Sequence, residues 1–161
     1  MIRLASIVFA SALVAAPLPS PLTPADALKA FVAAPGLRVE LVAAEPLVAS
    51  PCAIAFDAKG RLFVAENRGY PIGPKEGEKP VGVIALLEDT DKDGKADKVK
   101  EFAKVHNPLG FEFWNGGVIV TSQPDIIFLK DTDGDDVADV RYVIMQGIGS
   151  SDTHHAANNL I

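Results

Sequence analysis

The chain has 161 residues, 48% of them hydrophobic and 22% charged, which is enough apolar material for one domain with a real core and argues against intrinsic disorder. Acidic residues outnumber basic ones by 21 to 15, giving a net charge of −6, and no basic stripe is present that could neutralise phosphates, so nucleic acid is excluded as a partner. The single cysteine, Cys52, cannot form an internal disulfide, and its place at the start of an apolar run reads as a small buried hydrophobe.

Residues 1–16 carry one positive charge, Arg3, followed by an uncharged apolar stretch that ends in small residues. That is the pattern of a secretory signal peptide and is too short for a membrane span, with an uncleaved N-terminal anchor as the alternative. Export to the periplasm or cell envelope is the expectation, with membrane or envelope association left open. Residues 17–23 are proline-rich and read as a linker. Thr23-Pro24-Ala25-Asp26 supplies a capping hydroxyl, a proline in the first turn and an early acid, which predicts a helix over 24–34 stopped by Pro35-Gly36.

From about residue 37 the pattern becomes that of strands. The predicted runs are Arg38–Ala43, Ala53–Phe56, Arg61–Ala65, Val83–Leu87, Gly117–Thr121, Ile126–Leu129 and Arg141–Met145. Asp57–Gly60 and Asn115–Gly117 read as hairpin turns in which glycine supplies a positive backbone angle. The run Ile54–Ala65 repeats the logic of Leu109–Thr121, strand then tight turn then strand, and the first copy carries a Gly- and Pro-rich insertion, Arg68–Pro80.

Each copy leads to an acidic loop, Asp89–Asp97 and Asp131–Asp139, and the two loops hold four and five aspartates. Carboxylates at loop positions 1, 3, 5 and 9 suit a hard cation that takes six to eight oxygens, so Ca2+ is the expected ion. The first loop offers Asp89, Asp91, Asp93, the carbonyl of Lys95, and Asp97. Gly94 permits its sharp turn, and Lys100 stands where an EF-hand has its glutamate, so the loop is not an EF-hand. The second offers Asp131, Asp133, Asp135 and Asp139 but has Asp136 in the glycine position. A solvated acidic turn is the alternative for both, although like charges this dense repel without a counter-ion. The period of about 40 residues, with four strands per unit, predicts an all-β fold with a short N-terminal helix. It is an incomplete β-propeller of about two blades spanning 24–161, with a third blade beginning near His155. A closed ring takes about four to eight blades, so a longer protein is expected.

Two further groups carry chemistry. His154 and His155, in Ser150-Ser-Asp-Thr-His-His155, can act as general bases or be solvated loop residues. Glu66 and Arg68 end the second strand of the first blade, where they form either a ligand-binding pair or a structural ion pair.

The run Pro35–Pro46, then Ala53-Ile-Ala-Phe-Asp57, Gly60–Glu66, Arg68-Gly-Tyr-Pro71, the Asp-Thr-Asp loops and Asp152-Thr-His-His155 resembles the PVC-type membrane-bound dehydrogenase family. The resemblance covers nearly everything after the linker. It implies an N-terminal propeller followed by helical repeats and a haem c domain beyond this chain. That family is distantly similar to the glucose and sorbosone quinoprotein dehydrogenases, which implies pyrroloquinoline quinone and calcium as cofactors. It also implies His155 as the catalytic base; His154 stands beside it, and Glu66 and Arg68, from their place at the end of a blade strand, are the expected cofactor-binding residues. Asn158-Asn159 stand where that pattern has Gly-Arg. The functional expectation is an exported propeller oxidoreductase of a small-molecule sugar or alcohol. The alternative is a non-enzymatic calcium-binding scaffold for carbohydrate or protein at the cell surface. Substrate, blade number and oligomeric state do not follow from the sequence.

Overall fold

A computed structural model describes residues 20–74 and 77–149. The chain divides into two compact units, Met1–Val39 and Glu40–Ile161. In the first, α1 (Pro24–Ala30) begins as its sequence dictates: Thr23 Oγ1 accepts the Asp26 N–H at 3.2 Å, and Asp26 pairs with Lys29 at 2.9 Å. The helix stops four residues short of the predicted end, because Phe31 leaves the helical region (φ −72, ψ 138). No residue of α1 is buried, and Phe31 and Val32 are 64% and 97% exposed, so the last predicted turn has no packing to hold it. Pro35 and Gly36 (φ 83) instead make a tight turn closed by Leu37 N–H to Ala34 O. No helix among the described residues is long and apolar enough to cross a membrane.

The second unit is all-β and consists of two four-stranded antiparallel meanders, which is the construction of a propeller blade. The first sheet runs β1 (Pro51–Phe56), β2 (Leu62–Glu66), β3 (Gly82–Glu88), β4 (Lys98–Val105). The second runs β5 (Pro108–Trp114), β6 (Gly117–Ser122), β7 (Asp125–Lys130), β8 (Val140–Met145). Asn115 (φ 48) and Gly116 (φ 73) both adopt the left-handed backbone that a two-residue hairpin turn requires, and so join β5 to β6 in register.

Two strand predictions need correction. Arg38–Ala43 is not a strand, although the Val42 carbonyl accepts the Ala96 N–H at 2.8 Å. That bond matches the one from Ala138 N–H to Phe102 O, also 2.8 Å, in the second sheet. The segment holding Val42 thus meets the first acidic loop as β4 meets the second, but it has no ladder of its own. Conversely, β4 is not among the predicted runs: Lys98–Val105 holds four charged residues, and only Phe102 and Val105 of it are buried.

The main core lies between the sheets. Phe63, Ile84, Leu86 and Phe102 of the first sheet meet Phe111, Val118, Ile127 and Leu129 of the second, each such burial contributing roughly 1.5–3 kcal/mol. Phe63 is the hinge of this contact, edge-to-face with Phe102 at 5.3 Å and with Phe113 at 5.1 Å. The other face of the first sheet, Val64, Val83, Ala85 and Leu87, is covered by Ala43, Leu47 and Val48. Strand β3 is therefore buried on both faces, which its unbroken apolar run requires.

Candidate metal and ligand sites

The antiparallel meanders sort the connections to two ends. The turns at 57–60 and 115–116 and both acidic loops share one end, while the links at 67–81, 106–107 and 123–124 share the other.

At the acidic end the two loops have the same backbone. Lys92 (φ 64) and Gly94 (φ 89) in the first loop correspond to Gly134 (φ 84) and Asp136 (φ 64) in the second, so positions 4 and 6 are left-handed in both. Asp136 is thus no obstacle to the turn, since Asp tolerates this region. The first acid of each loop gathers backbone N–H groups. Asp89 accepts from Asp93 (3.1 Å) and Gly94 (2.8 Å), and Asp131 from Asp133 (3.2 Å), Gly134 (2.7 Å) and Asp136 (2.8 Å). Desolvation pushes Asp89 up, but the N–H groups of Gly94, Lys92 and Asp93 outweigh it and leave the carboxyl below the usual range. The Gly134 N–H, helped by those of Asp136 and Asp133 and opposed by desolvation, does the same for Asp131. The ninth acid of each loop closes it: Asp97 accepts the Thr90 hydroxyl at 2.7 Å and Asp139 the Thr132 hydroxyl at 2.5 Å.

Oxygens of Asp89, Asp91 and Asp97, and separately of Asp131, Asp133 and Asp135, lie within 4.8 Å of one another. Ligands on opposite sides of Ca2+ are about 5 Å apart at most, twice a bond of 2.3–2.6 Å, so both loops fit that ion. The sets differ, since Asp93 and Asp139 fall outside these close groups. Asp93 accepts the Lys95 N–H at 2.8 Å and pairs with the Lys95 ammonium at 3.5 Å.

Sequence reasoning missed what ties the second loop to the first sheet. Arg61 on the first hairpin bridges Asp57 (2.8 Å) and Asp136 (2.5 Å), and Lys100 on β4 donates to the Asp135 carbonyl. Burial pushes Asp57 up, but the Arg61 backbone N–H and guanidinium hold it below the usual carboxylate range. No local pattern signals a pair 75 residues apart. Between this network and Phe63, Phe102 and Phe113 lies a cleft of about 420 Å³.

The opposite end is polar and buried. Glu66 is 0% exposed; its carboxylate accepts the Ala49 N–H at 2.8 Å and is paired with Arg68 at 2.6 Å, so the buried charge is compensated. Cys52 corrects its own prediction: the residue is exposed, but its thiol turns inward and donates to Pro108 O at 2.9 Å, linking β1 to β5. Burial of the sulfur pushes that thiol's pKa up. The same end carries three amides that the sequence did not single out. Asn67 Oδ1, Asn107 Oδ1 and both amide atoms of Gln123 are buried with no hydrogen-bond partner, a cost of about 1–3 kcal/mol for each such group. Ile148 N–H donates to Pro124 O at 2.9 Å, which brings the chain to this end six residues before His154. His154 and His155 lie outside the described residues, as do Asn158-Asn159 and the segment 1–16.

The fold is that of an all-β protein of propeller-type blades, and each of its two acidic loops brings three carboxylates within 4.8 Å of one another. The chain belongs to DUF7133, a domain family of unknown function, whose model matches residues 23–161. No curated protein and no solved structure matches it.

Proposed function

We propose that this chain is the N-terminal part of an exported propeller oxidoreductase that oxidises sugars or alcohols, with calcium stiffening its acidic loops. The observation that carries the reading is the polar end: a fully buried, Arg-paired carboxylate at Glu66 and, at the same end, buried amide atoms without partners, on the end toward which Ile148 leads. Buried polar groups without partners are costly and collect where a ligand supplies the missing bonds. In this reading Glu66 and Arg68 bound the ligand face, and His155, with His154 beside it, takes the substrate hydroxyl proton. Pyrroloquinoline quinone, when bound, supplies the hydride acceptor. In this reading calcium is held by Asp89, Asp91 and Asp97 of the first loop and by Asp131, Asp133 and Asp135 of the second, with Asp93, the Lys95 carbonyl and Asp139 outside these close groups, and its role is structural because no histidine lies at that end among the described residues.

The test is dye-linked oxidation of a sugar and alcohol panel with and without the quinone, on the longest form of the protein. Quinone-dependent turnover that is lost in His155→Ala is the expected result. Calcium binding without any turnover would leave the scaffold reading, which the preformed loops favour.

A further inference from the structure

We infer that Asn67, Asn107 and Gln123 are the recognition groups for a neutral, hydroxyl-rich ligand at the polar end, an inference that rests on the proposed sugar or alcohol substrate and specifies how it is bound. The three come from three different connections, β2–β3, β4–β5 and β6–β7, at the same end of the sheets. A Cβ built on Gly69, two residues after Asn67, would sit 3.1 Å from Asn107 Oδ1, and one on Gly73 would sit 3.2 Å from Asn107 Nδ2. Beside Asn107, the His106 N–H donates to Ser122 Oγ at 3.1 Å, and Gln123 follows Ser122. Asn67 and Gln123 are 7% and 6% exposed. Asn107 adopts φ 38, a left-handed backbone that asparagine tolerates.

The chemistry of these groups selects the ligand. An amide presents a donor and an acceptor side by side, and a hydroxyl both donates and accepts, so vicinal hydroxyls complete both halves of Gln123 at once. The charges nearest Asn67, Glu66 and Arg68, neutralise each other, so that pair leaves neither sign in excess. A site built to hydrogen-bond hydroxyls also rejects an analogue that lacks them, because its own buried groups then stay unpaired.

The experiment titrates the full chain with D-glucose, D-xylose and glycerol, using ethyl ether derivatives lacking the hydroxyls as controls. Binding is read by calorimetry and by ¹⁵N NMR of side-chain amides, and stability by thermal melts. The expected result is saturable polyol binding that shifts the Asn67, Asn107 and Gln123 amides and leaves Asn115, at the other end, unmoved. Asn67→Leu and Gln123→Met should each weaken binding about ten- to a hundredfold while the ligand-free melting temperature holds or rises, since each removes an unpaired buried group. Melting temperatures that fall while polyol affinity is kept would mean that these amides hold structure or water, and would overturn the inference. Amide resonances unmoved by a polyol that binds would also overturn it, and the proposed substrate class would stand. Absence of any polyol binding would overturn both. Amide-dependent binding without quinone-dependent oxidation would leave the inference intact and remove the enzyme reading.

Discussion

At position 6 of the acidic loops, glycine and aspartate reach the same left-handed backbone, and at position 4 lysine and glycine do. Lys92 is exposed and bears this strain with no side-chain contact among the described residues, so Lys92→Gly is expected to stabilise the second unit by about 1 kcal/mol in urea unfolding. Asp136→Gly relieves the same strain but loses Arg61, and its net effect should be destabilising. Arg61→Ala leaves both Asp57 and Asp136 without a guanidinium and should cost about 2 kcal/mol, with Arg61→Lys recovering only part because one ammonium cannot serve two carboxylates in fixed directions. The loop carboxylates were legible from their spacing alone. Their link to Arg61 was not, because it is made only when the two sheets meet.

At the scale of elements, the β5–β6 hairpin shows how closely local sequence and packing agree. Asn115-Gly116 sets the turn, and Gly117 then lets β6 pass so near β7 that a Cβ there would lie 2.4 Å from Leu129 O and 2.6 Å from the Phe128 ring. Gly117→Ala should therefore destabilise by about 3 kcal/mol, since the nearer obstacle is backbone and cannot rotate away; a melting temperature unchanged from wild type would contradict the packing of these strands. Strand patterning was readable from apolar runs, including that of β3, which is buried on both faces. It misled at Arg38–Ala43, which is mostly exposed and forms no ladder, and it was silent at β4, where the outer strand is mostly solvated. The helix erred at its C-terminal end for a related reason: capping is local and visible, while the length of a helix depends on what it packs against.

Across the second unit, the carboxyls of Asp57, Asp89 and Asp131 share one sign of shift, below their ordinary value of 3.8. A lowered folded-state pKa gives stability that is complete above the unfolded value and is lost as pH falls through the folded one. Thermal melts should thus hold level from about pH 7 to about pH 4 and decline below that, where protonation competes with the Arg61 pair and the loop N–H contacts. Equal stability at about pH 2.5 would argue that these contacts do not form in solution. Calcium should act in the same direction at neutral pH. A single site at a hundredfold excess over its dissociation constant contributes about 2.7 kcal/mol, so chloride salts of calcium should raise the melting temperature, with chelator reversing it. Asp89→Asn and Asp131→Asn should each remove one of two binding events in calorimetry.

The sequence by itself determined the all-β class, the blade repeat, the hairpin turns and the loop carboxylates, because each depends on the spacing of residues close together along the chain. It also marked Glu66 and Arg68, through their place at the end of a strand. Only the tertiary structure decided that the second acidic loop is tied to the first sheet through Arg61 and Lys100. It alone showed that Cys52 turns its thiol toward Pro108, and that Asn67, Asn107 and Gln123 are buried without partners at one end. Those features arise where separate connections converge as the sheets pack, and whether a polar group ends up paired or orphaned depends on every element brought against it rather than on its neighbours in the chain.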